Sequence, residues 1–276
     1  MKKHLNIFFP QWQGGGQDKA TYDGAVAIKK QYLGQTTVCD VTVSLEEACS
    51  LENDIIGYKS IMTQLAECKQ LILQAEPATI FTVGGGCDVA LAPVSYLNSK
   101  AQGNITLLWL DAHGDLNTPE SSMSKAFHGM PLRTLLGEGD PGILQQVFST
   151  LLPSQIILLG TRDLDAAEVQ YIAGRNIKLF TVNDIEANLN SVVEAVKLQG
   201  AGNIYVHIDL DVLDPQEFPW VPVPAAGGLK TATLLRLLHR LQQEYNILGV
   251  SLVEYKPSEN QAAQMLADII NMGRAL

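Results

Sequence analysis

The chain lacks any run of about 18 or more uninterrupted apolar residues, so no transmembrane helix is expected. The apolar stretch Leu5 to Phe9, which follows a basic start, is too short for a secretory signal and reads as a first strand. Cysteine is scarce. Cys39, Cys49, Cys68 and Cys87 have no CxxC spacing and no density suited to a disulfide scaffold, so a reducing, cytoplasmic setting is expected. Basic residues are outnumbered, 19 against 29 acidic, for a net charge of −10. That anionic field argues against nucleic acid or an anionic membrane surface as a partner and suits a cationic substrate or metal ions. No GxxxxGKS/T or GxGxxG pattern occurs, which removes the usual phosphate cradles. No composition shift, long linker or internal repeat divides the chain, and one domain over residues 1–276 is expected.

What is present is alternation. Strand-like apolar runs lie near Asn6–Phe9, Thr37–Val41, Thr79–Val83, Ile105–Leu110, Gln155–Leu159, Lys178–Val182, Ile204–Ile208 and Leu248–Val253. Between them fall helical-period stretches such as Ile55–Gln74, Ala166–Ala173, Ser191–Leu198 and Lys230–Tyr245. Strand–helix alternation with right-handed crossovers builds an α/β fold, a parallel sheet covered by helices on both faces. Ligands of such sheets sit outside the carboxyl ends of the strands.

Five of those strand ends carry chemistry. Gly84-Gly85-Gly86-Cys87-Asp88 follows one strand, and Asp111-Ala112-His113-Gly114-Asp115-Leu116-Asn117 follows another. Arg162 to Asp165, Asp209-Leu210-Asp211 and Glu254 follow three more. Asp111, His113 and Asp115 recur at every second position, which places them on one side of an extended chain. Two carboxylates and an imidazole brought together there need a cation to offset repulsion and lost solvation, unless the stretch is simply an acidic loop. Asp209 and Asp211 repeat the spacing. Four carboxylates and one imidazole balance two divalent ions, with oxygen-rich donors favouring Mn²⁺ or Mg²⁺ and the imidazole tilting the choice to Mn²⁺. Asp214, followed by Pro215, reads as a turn starter. The triple glycine reads as a place where backbone passes close to the site.

Together these motifs resemble the ureohydrolase family of arginases, agmatinases and formiminoglutamases. The resemblance rests on DAHGDLN from Asp111, on AFHGMPL around His128, on HIDLDVLDP around Asp209, and on Glu254 in Val-Glu-Tyr-Lys-Pro. It implies a three-layer α/β/α fold with an eight-stranded parallel sheet, a binuclear Mn²⁺ centre, hydrolysis of a guanidinium-type C–N bond, and a trimer or hexamer. It gives Asp111 and Asp209 to both metals, Asp115 to one metal and to the attacking water, and His113 and Asp211 to the other metal. Glu254 is then expected to hold the guanidinium, and His128 to shuttle protons.

The loop from Asn117 to His128 has the length of the arginase loop that binds the substrate's α-carboxylate, which assigns Asn117, Ser122 and Ser124 to that group. Asp165 and Glu168 occupy the positions that contact the α-amino group. The serines could equally form a turn or cap, and Glu168 could lie on a solvated helix face. His4, His207 and His239 have no such context, and His207 is expected to be structural. The departure from the family is Cys87, which stands where a metal-ligating His is usual. It is either a small buried residue or a thiolate ligand that shifts preference towards Zn²⁺, Fe²⁺, Co²⁺ or Ni²⁺, and Asp88 is a third candidate donor. A non-catalytic or altered-metal member is therefore the alternative reading. A haloacid-dehalogenase-type phosphatase reading of Asp209-Leu210-Asp211 leaves DAHGD and HGMP unexplained.

Overall fold

Leu107 and Trp109 pack into one apolar core and Leu108 and Leu110 into another, the period-two alternation of an extended chain buried on both faces. The computed structural model, which describes residues 3–16, 18–46, 50–257 and 263–276, carries that alternation through a central sheet. The strands are β1 (His4–Phe9), β2 (Cys39–Asp40), β3 (Leu51–Glu52), β4 (Ile55–Ile56), β5 (Thr79–Gly84), β6 (Thr106–Leu110), β7 (Ile156–Leu159), β8 (Lys178–Phe180), β9 (Asn203–Asp209) and β10 (Asn246–Val253). Eight of them form one parallel sheet in the order β2-β1-β5-β10-β9-β6-β7-β8, while β3 and β4 form a separate antiparallel pair. All eight expected sheet strands are present. Cys49 lies outside the described residues.

Helices cover both faces. Ala20–Tyr32, Asn190–Leu198 and Thr231–Glu244 pack on one core, and Tyr58–Ala75 and Leu91–Lys100 on the other. The helix Thr231–Glu244 buries Leu234, Leu237, Leu238 and Leu241, an i, i+3, i+4, i+7 stripe. Each leucine contributes on the order of 2 kcal/mol by leaving water. At two boundaries the chain takes up a different kind of element from the one expected. Ile55 and Ile56 pair as β4, because Gly57 adopts φ 74° and the helix begins only at Tyr58. Val182 starts a helix instead of ending β8, because the Thr181 side chain accepts a hydrogen bond from Asp184 N and caps it.

The strand order has a direct consequence for the site. The five strands whose ends carry chemistry, β5, β10, β9, β6 and β7, are contiguous in the sheet. Chemistry scattered over more than 150 residues of sequence therefore meets along one edge, at the carboxyl ends of neighbouring strands.

Candidate metal centre

Asp111 is fully buried just beyond β6, and both of its oxygens are fixed. Oδ1 accepts from His113 N at 2.6 Å, and Oδ2 accepts from the Trp109 indole at 3.0 Å. His113 Nδ1 lies 2.9 Å from Asp211 Oδ2 and 3.5 Å from Asp111 Oδ1. Asp211 in turn accepts from Ala112 N at 3.0 Å, and Asp209 accepts from Asp211 N at 2.8 Å. Asp211 thus ties the two sequence motifs together, through Ala112 N and the His113 ring. Asp115 turns inward through a left-handed backbone, φ 52°, and its buried Oδ2 has no hydrogen-bond partner. A carboxylate oxygen held in that state costs folding energy unless something positive meets it.

The opposite wall comes from β5 and β10. Cys87 Sγ stands 3.0 Å from Asp209 Oδ2 and 3.9 Å from Asp111 Oδ2. Gly85 allows this approach: a Cβ there would come within 1.8 Å of the Gln11 carbonyl oxygen, and its own carbonyl accepts from Glu254 N at 2.8 Å. Glu254 is also left-handed, φ 57°, and its Oε1 meets His128 Nδ1 at 3.1 Å. Asp88 points elsewhere. It sits beneath Gly14 and Gly86, where a Cβ would stand 2.7 or 2.8 Å from its Oδ1, and neither of its oxygens has a partner.

The electrostatics follow from burial. Desolvation, with repulsion among the acids, holds the carboxyls of Asp111, Asp115 and Asp209 above their ordinary range. Burial also raises the Cys87 thiol, and Asp209, Asp115 and Asp111 add to it. Burial works against a charged His113, but Asp111 and Asp211 outweigh it and push the imidazolium up to about 12. His128 behaves alike, with Glu254 overcoming desolvation. Burial lifts Asp88 to about 7 and drops His207 to about 3. Mutually repelling acids and an orphaned carboxylate oxygen fit a cation-binding role. Donor atoms of Asp111, His113 and Asp211 lie within 4.8 Å of one another, as do those of Cys87, Asp209 and Glu254. The residues present therefore fit divalent ions.

The residues expected at the substrate end line the same cavity. Asn117 Nδ2 donates to Asp165 Oδ2 at 2.8 Å, and Asn117 Oδ1 accepts from Ser121 Oγ at 2.8 Å. Ser122 Oγ accepts from Lys125 N and Ser124 Oγ from Ala126 N, so both serines shape the turn while facing the cavity. Glu168 is not on a solvated face. It is 4% exposed and accepts from Leu116 N and Asp165 N, each at 2.9 Å.

A sequence model of the arginase family matches residues 17–272. The chain belongs to the arginase family. The arginase of Staphylococcus aureus strain COL is 37% identical over 196 residues, covering 68% of this chain and 65% of that protein. The alignment thus spans just under two thirds of that relative's length. The arginase of strain MRSA252 is 34% identical over 253 residues, 88% of this chain and 83% of its own. In three dimensions the Entamoeba histolytica arginase, crystallised in complex with L-ornithine, superposes with a TM-score of 0.89 at 21% identity, covering 100% of this chain and 99% of that one. Such a match places the eight-stranded α/β/α architecture beside the arginase fold.

Two residues around this arginase-family site had no role in the sequence reading. Trp109 sits two residues before Asp111, a spacing that keeps both on one side of a strand. Arg162 donates to the carbonyls of Asp211, Val212, Leu213, Ala225 and Ala226, tying down the loop that follows Asp209. Its guanidinium carries several donors in a fixed fork, which a lysine could not replace. Asp214 does start a turn, accepting from Gln216 N at 2.8 Å.

Proposed function

We propose that this chain is a metal-dependent amidinohydrolase that cleaves the guanidinium C–N bond of a small cationic substrate, with an amino acid such as arginine as that substrate. The observation that carries the reading is the convergence of His113, Asp115, Asp209 and Asp211 on one cavity, with Asp111 buried behind His113 and the His128–Glu254 pair lining the same space. The names of the arginase relatives support the reaction class, and the ornithine complex of the Entamoeba enzyme supports an amino-acid substrate.

Two divalent ions, Mn²⁺ in the reading closest to the arginases, supply a Lewis acid that brings a water's pKa towards neutrality. Asp111 and Asp209 would serve both ions, Asp115 one of them, and His113 and Asp211 the other. Cys87 lies against Asp111 and Asp209 on the inner side. Asp115, through its free Oδ2, accepts a proton from the attacking water and orients it. Glu254 accepts charge-assisted hydrogen bonds from the guanidinium. His128 is partly exposed, and it carries a proton between solvent and the leaving amine while Nδ1 stays on Glu254. Asn117, Ser122 and Ser124 receive the α-carboxylate, and Asp165 and Glu168 the α-ammonium group. Among the described residues no helix is long and apolar enough to cross a membrane. The reading also includes one domain over residues 1–276, a cytoplasmic location, no nucleic-acid or membrane partner, and a homotrimer or hexamer.

The test is product release from a panel of compounds with Mn²⁺, Co²⁺, Zn²⁺ and Ni²⁺ supplied in turn. Urea is measured from arginine, agmatine and guanidinobutyrate, and formamide from formiminoglutamate. Turnover of arginine above the others supports the proposal. Turnover of none of them with any ion overturns it.

A further inference from the structure

His207 lies inside β9, and its surroundings are unusual. It pairs in register with Ser251 of β10 on one side and Trp109 of β6 on the other. Its ring lies flat against Trp109, with centroids 3.5 Å apart and planes 12° from parallel. Nδ1 is held by Ser251 Oγ at 2.8 Å. Nε2 has no partner at all, although the residue is fully buried. A buried imidazole fixed on two sides and left with an empty nitrogen calls for an electrophile.

The direction of that nitrogen's surroundings supplies the rest. A His207 ring nitrogen, the Cys87 sulfur and an Asp111 oxygen lie within 4.8 Å of one another. Cys87 also meets Asp209 Oδ2 at 3.0 Å. With Nδ1–H donating to Ser251, the lone pair of Nε2 is free, and this is the tautomer a ligating imidazole needs. We infer that His207 and Cys87 act together as ligands, so that the inner metal position, the one Asp115 serves, gains a sulfur and an imidazole donor beside the carboxylates of Asp111 and Asp209. Cys87 stands where the resembling family places an imidazole, and His207 restores that imidazole from the neighbouring strand. A thiolate there adds one negative charge and softens the donor set, which selects Zn²⁺, Co²⁺ or Fe²⁺ over Mn²⁺. The outer position, with Asp111, His113 and Asp211, stays hard. Buried Ser251, 0% exposed, is a positioning residue: its oxygen can accept Nδ1–H and so leave Nε2 for the metal.

This inference rests on the proposed metal centre, and its test reads the ligands directly instead of the reaction. Zinc-loaded protein is examined by X-ray absorption at the zinc edge, and cobalt-loaded protein by near-ultraviolet absorption. The expected result is a sulfur neighbour at about 2.3 Å from zinc and a sulfur-to-cobalt charge-transfer band. Both vanish in Cys87→Ser. His207→Gln retains the band, lowers the imidazole contribution at the zinc edge, and weakens one of two zinc-binding steps by at least about tenfold. A sulfur-free zinc environment in the wild-type protein, which needs no variant to fold, overturns the inference. So does an unchanged imidazole contribution in a folded His207→Gln variant. If the sulfur and imidazole signals appear but no guanidino compound is hydrolysed, the inference stands and the proposed reaction falls. If arginine is hydrolysed by ions without sulfur neighbours, the reaction stands and the inference falls.

Discussion

Cys87 Sγ lies 3.0 Å from Asp209 Oδ2, so a soft sulfur donor faces a hard carboxylate across the floor of the cavity. Replacing the sulfur by imidazole removes one negative charge and makes the donor set more favourable to Mn²⁺. Cys87→His is expected to raise Mn²⁺ affinity on the order of tenfold and the Mn²⁺-supported rate with it. Equilibrium dialysis against Mn²⁺ and a rate assay check this. Unchanged occupancy and rate would show that residue 87 does not face the metal.

Trp109 acts through Asp111. Its indole N–H fixes Asp111 Oδ2 at 3.0 Å, and its ring supports His207. Trp109→Phe retains an aromatic ring for the stack and removes the donor. Divalent-metal affinity is expected to fall by about 10- to 100-fold, the usual effect of losing a partner that orients a ligand. Calorimetric titration reads this, alongside a circular dichroism spectrum that stays unchanged. Wild-type affinity in the variant would mean that the indole bond is incidental.

The serines of the 117–128 loop separate two substrate classes. Ser122→Ala combined with Ser124→Ala removes two hydroxyls that face the cavity, together with their turn hydrogen bonds. KM for arginine is expected to rise about tenfold, corresponding to loss of about 1.4 kcal/mol of binding, while agmatine, which has no carboxylate, is little affected. Equal effects on both would place the serines in loop structure alone.

A pH effect is expected far from the metal centre. His4 is half-buried, with Nδ1 2.9 Å from Thr79 Oγ1 and Nε2 3.1 Å from Asn6 Oδ1. Burial lowers its pKa below the ordinary 6.5, and the Asn6 bond only partly offsets this. The unfolded chain therefore takes up the proton first as pH falls. His4's contribution to stability is complete above pH 6.5 and is lost as pH drops from there through the folded value. His4→Gln should flatten the loss of urea resistance between about pH 7 and about pH 5. Parallel pH profiles for wild type and variant would remove His4 from the account.

Much of this fold was legible because most sheet strands are short apolar runs and at least one helix separates each sheet strand from the next. Strand order was not legible. Nothing in the residues of β5 or β10 says that they are neighbours, yet that pairing brings Cys87 beside Glu254 and β9. The metal-facing acids could be read from the i, i+2 spacing at strand ends, which translates directly into a shared face. His207 could not. Its spacing from Asp209 places it on the same side, but the empty nitrogen depends on Ser251 and Trp109, which come from two other strands. The burial of Glu168 was not legible either. On its own helix it resembles a solvated position, and the loop that follows β6, through Gly114 and Leu116 N, covers it.

The central claim is that ions held between the Asp111 and Asp209 motifs drive guanidinium hydrolysis. Urea release from arginine, measured on metal-loaded protein, after chelation and after ions are restored, tests it most directly. The account predicts release that is lost with the ions and returns with them, at a stoichiometry of two ions per chain. No urea with Mn²⁺, Co²⁺, Zn²⁺ or Ni²⁺, together with fewer than two ions bound, would contradict it.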